Sequence, residues 1–354
     1  MSRFLSPRFA ALEAYTPGEQ PRDQQYIKLN TNESPYPPSR EVLERLDADE
    51  INRLNLYPDP QGKVLKEKLA KLYGVAGENI FLSNGSDDIL NFAFMAFCDG
   101  ERGAVFPEIS YGFYPVYADL YQIPHEKIPL MEDFTINYKD YCGVHKMVVI
   151  ANPNAPTGME LPLWEVEEIV KTNPDQVVLI DEAYVDFGGA SAVGLVKHYP
   201  NLLVSMTFSK SRSMAGARLG FAIASKEIIE DLEKIKFSTN PYNINRLTLA
   251  AGEAAVDSDG YYQENAKKIM ATREQTIDVL KALDFQVLNS KANFIFAKND
   301  KIDGAVFYEE LKKRGILVRH FEKEKIRDFV RITIGTPEQM TVFLQKTQEI
   351  LAKR

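Results

Sequence analysis

Residues 202–220 have the sequence LLVSMTFSKSRSMAGARLG, in which an apolar run leads directly into a polar segment that carries Lys210. Residues 147–151 and 177–180 are also apolar runs, and each is followed by a polar residue. Runs without polar alternation suit strands that are covered on both faces, as in parallel sheets. Ligands bind beyond the carboxyl ends of such strands. The pattern therefore predicts an α/β fold with a mostly parallel sheet and one crevice that collects all three polar clusters.

The rest of the chain has helical and strand-like patterns that indicate further units. Apolar side chains recur at helical spacing in residues 61–73, 261–283 and 338–351, and short strand-like runs occupy 293–297 and 329–334. The first forty residues are rich in Pro and Asn, which is typical of an extended arm. The chain becomes more charged beyond about residue 257. We therefore expect an N-terminal arm (1–40) that packs on the small domain, a large domain (41–257) and a small C-terminal domain (258–354).

The composition limits the classes of partner. The 354 residues include 42 Lys and Arg against 50 Asp and Glu, a net charge of −8, so no overall positive field is available for nucleic acid or an anionic membrane. The apolar segment 89–98 is about half the length that spans a bilayer. The two cysteines, Cys98 and Cys142, lie in apolar surroundings, which indicates a reduced cytoplasmic protein. The four histidines lack ligand spacing, so we expect no metal site.

Lys210 is the candidate catalytic residue. A lysine in a partly desolvated, cation-rich crevice loses its proton readily and becomes a nucleophile toward an aldehyde. The hydroxyls of Thr207 and Ser209 and the guanidinium of Arg218 offer a charge-assisted grip on a phosphate. The lysine of an isolated Ser-Lys pair more often lies in an exposed surface loop. The residues that flank Lys210 favour a binding site instead.

The segment around Lys210 resembles the lysine motif of fold-type-I pyridoxal-phosphate aminotransferases, and the other motifs of that family follow in the family's order. The resemblance implies a large domain with helices on both sides of a mostly parallel sheet, and a smaller α+β domain. It also implies that Lys210 binds pyridoxal 5'-phosphate, that Asp181 pairs with the pyridine nitrogen, and that Tyr184 contacts the ring oxygen. A strand that ends in Asp-Glu also fits a magnesium-binding Walker B element, but the chain lacks the matching Gly-x-x-x-x-Gly-Lys-Ser/Thr loop.

A turn at residues 152–158, NPNAPTG, resembles the family's Asn-Pro-Thr-Gly signature, whose asparagine also donates to the ring oxygen. The chain departs from the usual form because Ala155 stands directly before the second proline. Asn154 is therefore the expected donor, with the register between positions 154 and 155 left open. Clusters of Asn, Pro and Gly are also common in plain turns.

Three further elements resemble cofactor contacts of the family. Residues 84–88 open an apolar helix, and a helix N-terminus is suited to a phosphate, which implies contacts from Ser86 and Asp87. Tyr111 resembles the aromatic residue that stacks on the pyridine ring. Tyr57 resembles the tyrosine that reaches the cofactor phosphate of the partner subunit. A homodimer with active sites shared across the interface is therefore implied.

Within the family, the chain is most similar to the histidinol-phosphate aminotransferase subfamily. The markers are YTPG at residues 15–18, LNTNESPY at residues 29–36 and the pair Val318-Arg319. In that subfamily the substrate carries a phosphate ester, and planar guanidinium groups match a phosphate bidentately. The implied substrate site consists of Tyr15, Asn32, Arg319 and Arg331.

The implied reaction is the transamination of L-histidinol phosphate with 2-oxoglutarate, which gives imidazole-acetol phosphate and glutamate in histidine biosynthesis. An aromatic amino-acid aminotransferase would show nearly the same motifs, and a threonine-phosphate decarboxylase could use the same pair of arginines. A non-catalytic regulator with this fold usually carries a DNA-binding domain, for which the chain has neither the length nor the basic charge.

Overall fold

The computed structural model describes residues 2–353. Its strands, in chain order, are β1 Ile27–Lys28, β2 Ile80–Ser83, β3 Ala104–Pro107, β4 His125–Ile128, β5 Met147–Ala151, β6 Val178–Asp181, β7 Leu202–Thr207, β8 Gly220–Ala224, β9 Gln286–Val287, β10 Phe294–Lys298, β11 Ile316–Leu317, β12 Arg319–His320 and β13 Val330–Thr333. Its α-helices are α1 Arg40–Arg45, α2 Ala48–Asn52, α3 Lys63–Tyr73, α4 Ser86–Phe97, α5 Phe113–Tyr121, α6 Leu163–Thr172, α7 Lys226–Thr239, α8 Arg246–Asp257, α9 Asp259–Ala282, α10 Gly304–Lys313 and α11 Pro337–Leu351.

The largest sheet has seven strands in the order β2-β8-β7-β6-β5-β3-β4. Strands β3 to β7 pair in parallel, whereas β8 is antiparallel to both of its neighbours, β2 and β7. Six strands therefore point the same way and only β8 is reversed. The predicted α/β class with a mostly parallel sheet is confirmed.

Helices cover both faces of this sheet, which explains why its strands lack polar alternation. Successive residues of β5 belong to different cores. Val148 belongs to the core that includes side chains of α3, α6 and α8, and Val149 belongs to the core that includes side chains of α4, α5 and α7. Helix α3 ends where Gly74 adopts a left-handed conformation (φ +67°), as the sequence predicts.

The C-terminal unit consists of α9, α10, α11 and a four-stranded antiparallel sheet with the order β12-β13-β10-β9. Its own apolar core includes Phe294, Ile332 and Phe343. The N-terminal segment contributes β1, which pairs in parallel with β11 of this unit. The division into an N-terminal arm, a large domain and a small domain stays a prediction. The pairing of β1 with β11 agrees with an arm that packs on the small domain. None of the helices within residues 2–353 has the length and apolar character to cross a bilayer.

Candidate active site

The polar clusters that follow β5, β6 and β7 meet at one edge of the large sheet. The last residue of β6, Asp181, is the register partner of Ala151 on β5 and of Ser205 on β7. Lys210 follows β7 by three residues. Because parallel strands end at the same edge, residues that are far apart in sequence surround one crevice.

Asp181 lies at the bottom of this crevice and is 4% exposed. Its Oδ2 accepts a hydrogen bond from the Tyr114 hydroxyl at 3.0 Å, and its Oδ1 has no partner within residues 2–353. Burial raises the pKa of Asp181 to about 7, although the bond from Tyr114 opposes the increase. A buried oxygen without a donor is unfavourable. The arrangement therefore suits a ligand that brings a proton donor, such as a protonated pyridine nitrogen.

Lys210 and Tyr184 line the side of the crevice near the N-terminal segment. The Lys210 Nζ lies 3.4 Å from the carbonyl oxygen of Thr31 and 5.7 Å from the centre of the Tyr184 ring. The Tyr184 hydroxyl accepts a hydrogen bond from Asn32 Nδ2 at 2.9 Å. The lysine amine and the phenol therefore border the same space, with Asp181 in the strand that precedes Tyr184.

A phosphate-sized cradle is formed where α4 begins beside Arg218. The N-cap residue of α4 is Gly85, and a Cβ atom there would lie 2.5 Å from Arg218 Nη2. Arg218 has φ +55°, and its Nη1 lies 3.4 Å from Ser209 Oγ. Helix N-termini and guanidinium groups both bind anions. Ser209, Arg218 and the first turn of α4 therefore lie close together, and their role in binding a phosphate stays a prediction.

Asp87 connects this cradle to Tyr111. Its Oδ2 accepts from Arg218 Nη2 at 2.9 Å, and its Oδ1 accepts from the Tyr111 hydroxyl at 2.8 Å. Burial and the neighbouring Asp87 raise the pKa of the Tyr111 hydroxyl far above its usual range. Tyr111 consequently stays protonated, and its ring is held in a fixed position beside the crevice.

Arg319 and Arg331 are cross-strand partners on β12 and β13. Their guanidinium carbons each lie 5.6 Å from the centre of the Phe321 ring. Arg331 donates to the carbonyl oxygen of Asn30 at 3.0 Å, and its Nε has no partner within residues 2–353. Burial lowers the pKa of Arg331, and the adjacent Arg319 contributes in the same direction. An anion bound between the two arginines would raise the pKa of Arg331 again, because it favours the charged guanidinium.

A model of the family described as aminotransferase class I and II matches residues 24–346. The chain belongs to this family. A histidinol-phosphate aminotransferase of Brachyspira hyodysenteriae is 49% identical over 352 residues, which cover 99% of both chains. Another from Marinomonas sp. is 50% identical over 343 residues, which cover 96% of this chain and 97% of that one. The predicted enzyme class, an aminotransferase, is confirmed.

The fold is also shared with a solved structure, that of histidinol-phosphate aminotransferase from Sinorhizobium meliloti in complex with pyridoxal-5'-phosphate. The TM-score is 0.89 with 20% identity, and the match covers 100% of this chain and 99% of that one. The predicted cofactor of this aminotransferase, pyridoxal phosphate, is confirmed by the family to which the chain belongs. The unpartnered Oδ1 of Asp181 and the cradle at α4 fit that cofactor.

The structure places several of the predicted residues in other contacts, and their roles stay predictions. Both amide protons of Asn154 are used within the protein, because Nδ2 donates to the Ile109 carbonyl oxygen at 2.9 Å and to Thr157 Oγ1 at 3.2 Å. Donation to a cofactor oxygen would require Asn154 to give up one of these bonds. The Thr207 hydroxyl accepts from the backbone N–H of Ser209 at 3.1 Å, so it also orders the loop before Lys210.

Three predicted substrate residues likewise have partners inside the protein. Tyr15 stacks on Phe113 with ring centres 4.2 Å apart, and burial raises the pKa of its hydroxyl. Asn32 is 1% exposed and is bonded to Tyr184 on one side and Thr333 on the other. Arg319 donates to the carbonyl oxygens of Thr16 and Pro17 at 3.2 and 3.3 Å, which ties the arm to the arginine pair.

Two residues of the aminotransferase site were missed in the sequence. Tyr114, which orients Asp181, lies only three residues after Tyr111, but any of the 17 tyrosines would have been an equal candidate. Thr333 had a clearer signal, because it is a polar residue in the strand β13 and lies two positions from Arg331, on the same face. Among residues 2–353, no group of His, Cys, Asp and Glu is placed to hold a metal ion.

Proposed function

We propose that this aminotransferase transfers the amino group of L-histidinol phosphate to 2-oxoglutarate, producing imidazole-acetol phosphate and glutamate for histidine biosynthesis. The observation that carries the proposal is the pair of arginines on neighbouring strands, Arg319 and Arg331. Arg331 interacts electrostatically with Tyr184, the residue beside Lys210. The name of the relatives that are 49% and 50% identical over nearly the whole chain agrees with this choice of substrate.

The arginine pair favours a phosphate ester over a single carboxylate. A phosphate dianion has enough acceptor oxygens for two guanidinium groups, and charge-assisted bonds of this kind are about twice as strong as neutral ones. The free Nε of Arg331 supplies one donor that the protein itself does not use. The carboxylates of 2-oxoglutarate would use the same two side chains in the second half of the reaction.

Each part of the cofactor has residues in the crevice that would hold it. When bound, pyridoxal phosphate serves as an electron sink for the carbanion of the substrate. Asp181 would hold the ring nitrogen through Oδ1, Tyr184 would donate its phenol proton to the ring oxygen, and Tyr111 would lie against the ring. The phosphate would be bound by the first turn of α4 at Ser86 and Asp87, together with Ser209 and Arg218.

Lys210 is proposed to act twice. Its amine would hold the cofactor while the site is free of substrate, and once released it would take the proton from the substrate carbon. A positioned group that transfers this proton contributes about 10²–10⁴-fold to the rate. Asp181 would hold the ring nitrogen and take no part in this proton transfer, because Tyr114 and burial fix its carboxylate at the end of β6.

The substrate assignment is tested by single-turnover bleaching of the cofactor's visible band with L-histidinol phosphate, phenylalanine and O-phosphothreonine. We expect histidinol phosphate to react at least about tenfold more efficiently than phenylalanine, since it gains a charge-assisted contact with the second arginine. Carbon dioxide release from O-phosphothreonine should be absent. A wide margin in favour of phenylalanine would instead identify an aromatic amino-acid aminotransferase.

We also propose that the enzyme works as a homodimer in which Tyr57 reaches the partner's cofactor phosphate. Tyr57 is 78% exposed and lies among apolar side chains that are also more than 40% exposed, namely Ile51, Leu54, Leu56 and Tyr242. Exposed apolar patches of this kind mark interaction surfaces.

Leu56→Glu should weaken the dimer by about 100-fold or more, because it buries an unpaired charge in the interface. Trp164→Glu is the matched control, since Trp164 is exposed to the same degree (56% against 57%) but lies on α6. Sedimentation equilibrium gives the dimer dissociation constant of both variants. A dimer that survives Leu56→Glu unchanged would place the interface elsewhere.

The reducing cytoplasm is the proposed location. Both cysteines are free thiols, and Cys98 is buried. Burial raises the pKa of the Cys98 thiol to about 12, which makes it a poor nucleophile for disulfide exchange. Cell fractionation tests this location, and recovery of the enzyme in an exported fraction would contradict it.

A further inference from the structure

A buried chain of hydrogen bonds joins the strand of Arg331 to Tyr184. It runs from Thr333 on β13, through Asn32 of the N-terminal segment, to the Tyr184 hydroxyl, and the three residues are 3%, 1% and 9% exposed. We infer that Thr333 is a positioning residue that fixes the amide of Asn32 and so keeps the Tyr184 proton available to the active site. The inference rests on the proposed binding of the cofactor between Lys210 and Asp181.

The donor and the acceptor of each hydrogen bond in this series are defined by the geometry. The backbone N–H of Asn32 donates to Thr333 Oγ1 at 3.0 Å, and Thr333 Oγ1 donates to Asn32 Oδ1 at 3.0 Å. Asn32 Nδ2 then donates to the Tyr184 hydroxyl at 2.9 Å. The carbonyl oxygen of Asn32 accepts from Asn293 Nδ2 at 3.0 Å, which holds the residue at its positive φ of 58°.

The single proton of the Thr333 hydroxyl decides which way the Asn32 amide faces. The Thr333 oxygen already accepts from the Asn32 backbone N–H, and its own proton points to the Asn32 side-chain oxygen. The NH₂ group of Asn32 must therefore face Tyr184. Because the phenol oxygen accepts this bond, the phenol proton is left free for another acceptor.

Without the Thr333 hydroxyl, nothing would fix the orientation of the Asn32 amide. In the present orientation the buried Asn32 oxygen would lose its donor, and leaving it unpaired is unfavourable. In the flipped orientation Tyr184 would donate to that oxygen, and the NH₂ group would be the unpaired edge instead. The phenol proton would then be used inside the protein instead of at the ring oxygen of the cofactor.

Thr333 is well placed for this role. It lies two residues from Arg331 on the same face of β13, so the strand that carries the substrate arginine also sets the state of Tyr184. The charged and titratable side chains that interact with Tyr184 are Lys210, Arg331, Tyr15, Tyr111 and Tyr114. None of these groups is the donor to its hydroxyl, which is Asn32.

The test is the pH midpoint of the visible absorption band of the holoenzyme, measured without substrate. Thr333→Val should raise the midpoint by about one unit, a tenfold change in the protonation equilibrium, because the phenol no longer stabilises the anionic ring oxygen. Tyr184→Phe should raise it by a similar amount. Thr333→Ser restores the hydroxyl and should return the midpoint to the wild-type value, and Thr333→Ala serves if the valine variant does not fold.

Thr347→Val is the matched control. Thr347 is also a buried threonine of the C-terminal unit, but its hydroxyl donates only to the backbone of its own helix, to Phe343 O at 2.9 Å. This variant should leave the midpoint unchanged. If Tyr184→Phe shifts the midpoint and Thr333→Val does not, the inference is overturned while the cofactor site stands. If neither variant shifts it, the proposed position of the cofactor fails as well.

Discussion

Lys210→Ala should lower kcat by about 10⁴-fold or more even when pyridoxal phosphate is in excess. The loss combines the proton transfer, about 10²–10⁴-fold, with the covalent capture of the cofactor that the amine provides. The remaining residues of the cradle, Ser209 and Arg218, are not altered, so the cofactor should still bind, without the absorbance of a lysine-linked form. The measurement is steady-state turnover of histidinol phosphate together with an absorption spectrum.

Lys171→Ala is a suitable control for this substitution. Lys171 lies at the end of α6, pairs with Glu168 at 3.0 Å and is remote from the crevice. Its loss should leave kcat within about twofold of wild type, since an exposed ion pair contributes little. Turnover by Lys210→Ala at a tenth of the wild-type rate would remove the lysine from the mechanism.

Arg331→Gln should lower kcat/KM for histidinol phosphate and for 2-oxoglutarate by about 10²–10³-fold, because two charge-assisted hydrogen bonds are lost. Most of the change should lie in KM, since both the bound substrate and the transition state use this contact. The absorption spectrum of the holoenzyme should stay as in wild type. Arg331→Lys should recover only part of the loss, because an ammonium group cannot bind an anion bidentately.

Arg314→Gln provides the comparison within the C-terminal unit. Arg314 is bonded to Glu310 at the end of α10 and has no contact with the crevice. Its removal should leave the KM for histidinol phosphate and the KM for 2-oxoglutarate unchanged. Equal losses in both arginine variants would mean that Arg331 acts through stability alone, which contradicts the proposed substrate contact.

The sequence predicted the large sheet well because the signal was strong and local. Each of β5, β6 and β7 is apolar at nearly every position and ends within one residue of its predicted limit. Because parallel strands end at the same edge of a sheet, the sequence alone then predicts that Asp181 and Lys210 lie at one crevice. Long helices such as α9 were also predicted within about two residues at either end.

The contacts that refine the site could not be predicted, because they depend on how separate elements pack. Tyr114 reaches Asp181 only because α5 packs on the sheet with that side facing β6, across 67 residues of sequence. The capture of the Asn154 amide by the Ile109 carbonyl oxygen depends on the packing of two loops. Tyr57 is exposed in this chain, and the role proposed for it requires a second subunit.

The mechanism depends on the covalent link that the Lys210 amine would form with the cofactor while Asp181 holds its ring nitrogen. It is tested most directly by reducing the holoenzyme with borohydride, which makes a lysine–cofactor linkage permanent, and by locating the added mass in proteolytic peptides. We expect one pyridoxyl group per subunit, on the peptide that contains Lys210. Its appearance on another lysine, or no stable label despite a visible absorption band, would rule out this role of Lys210.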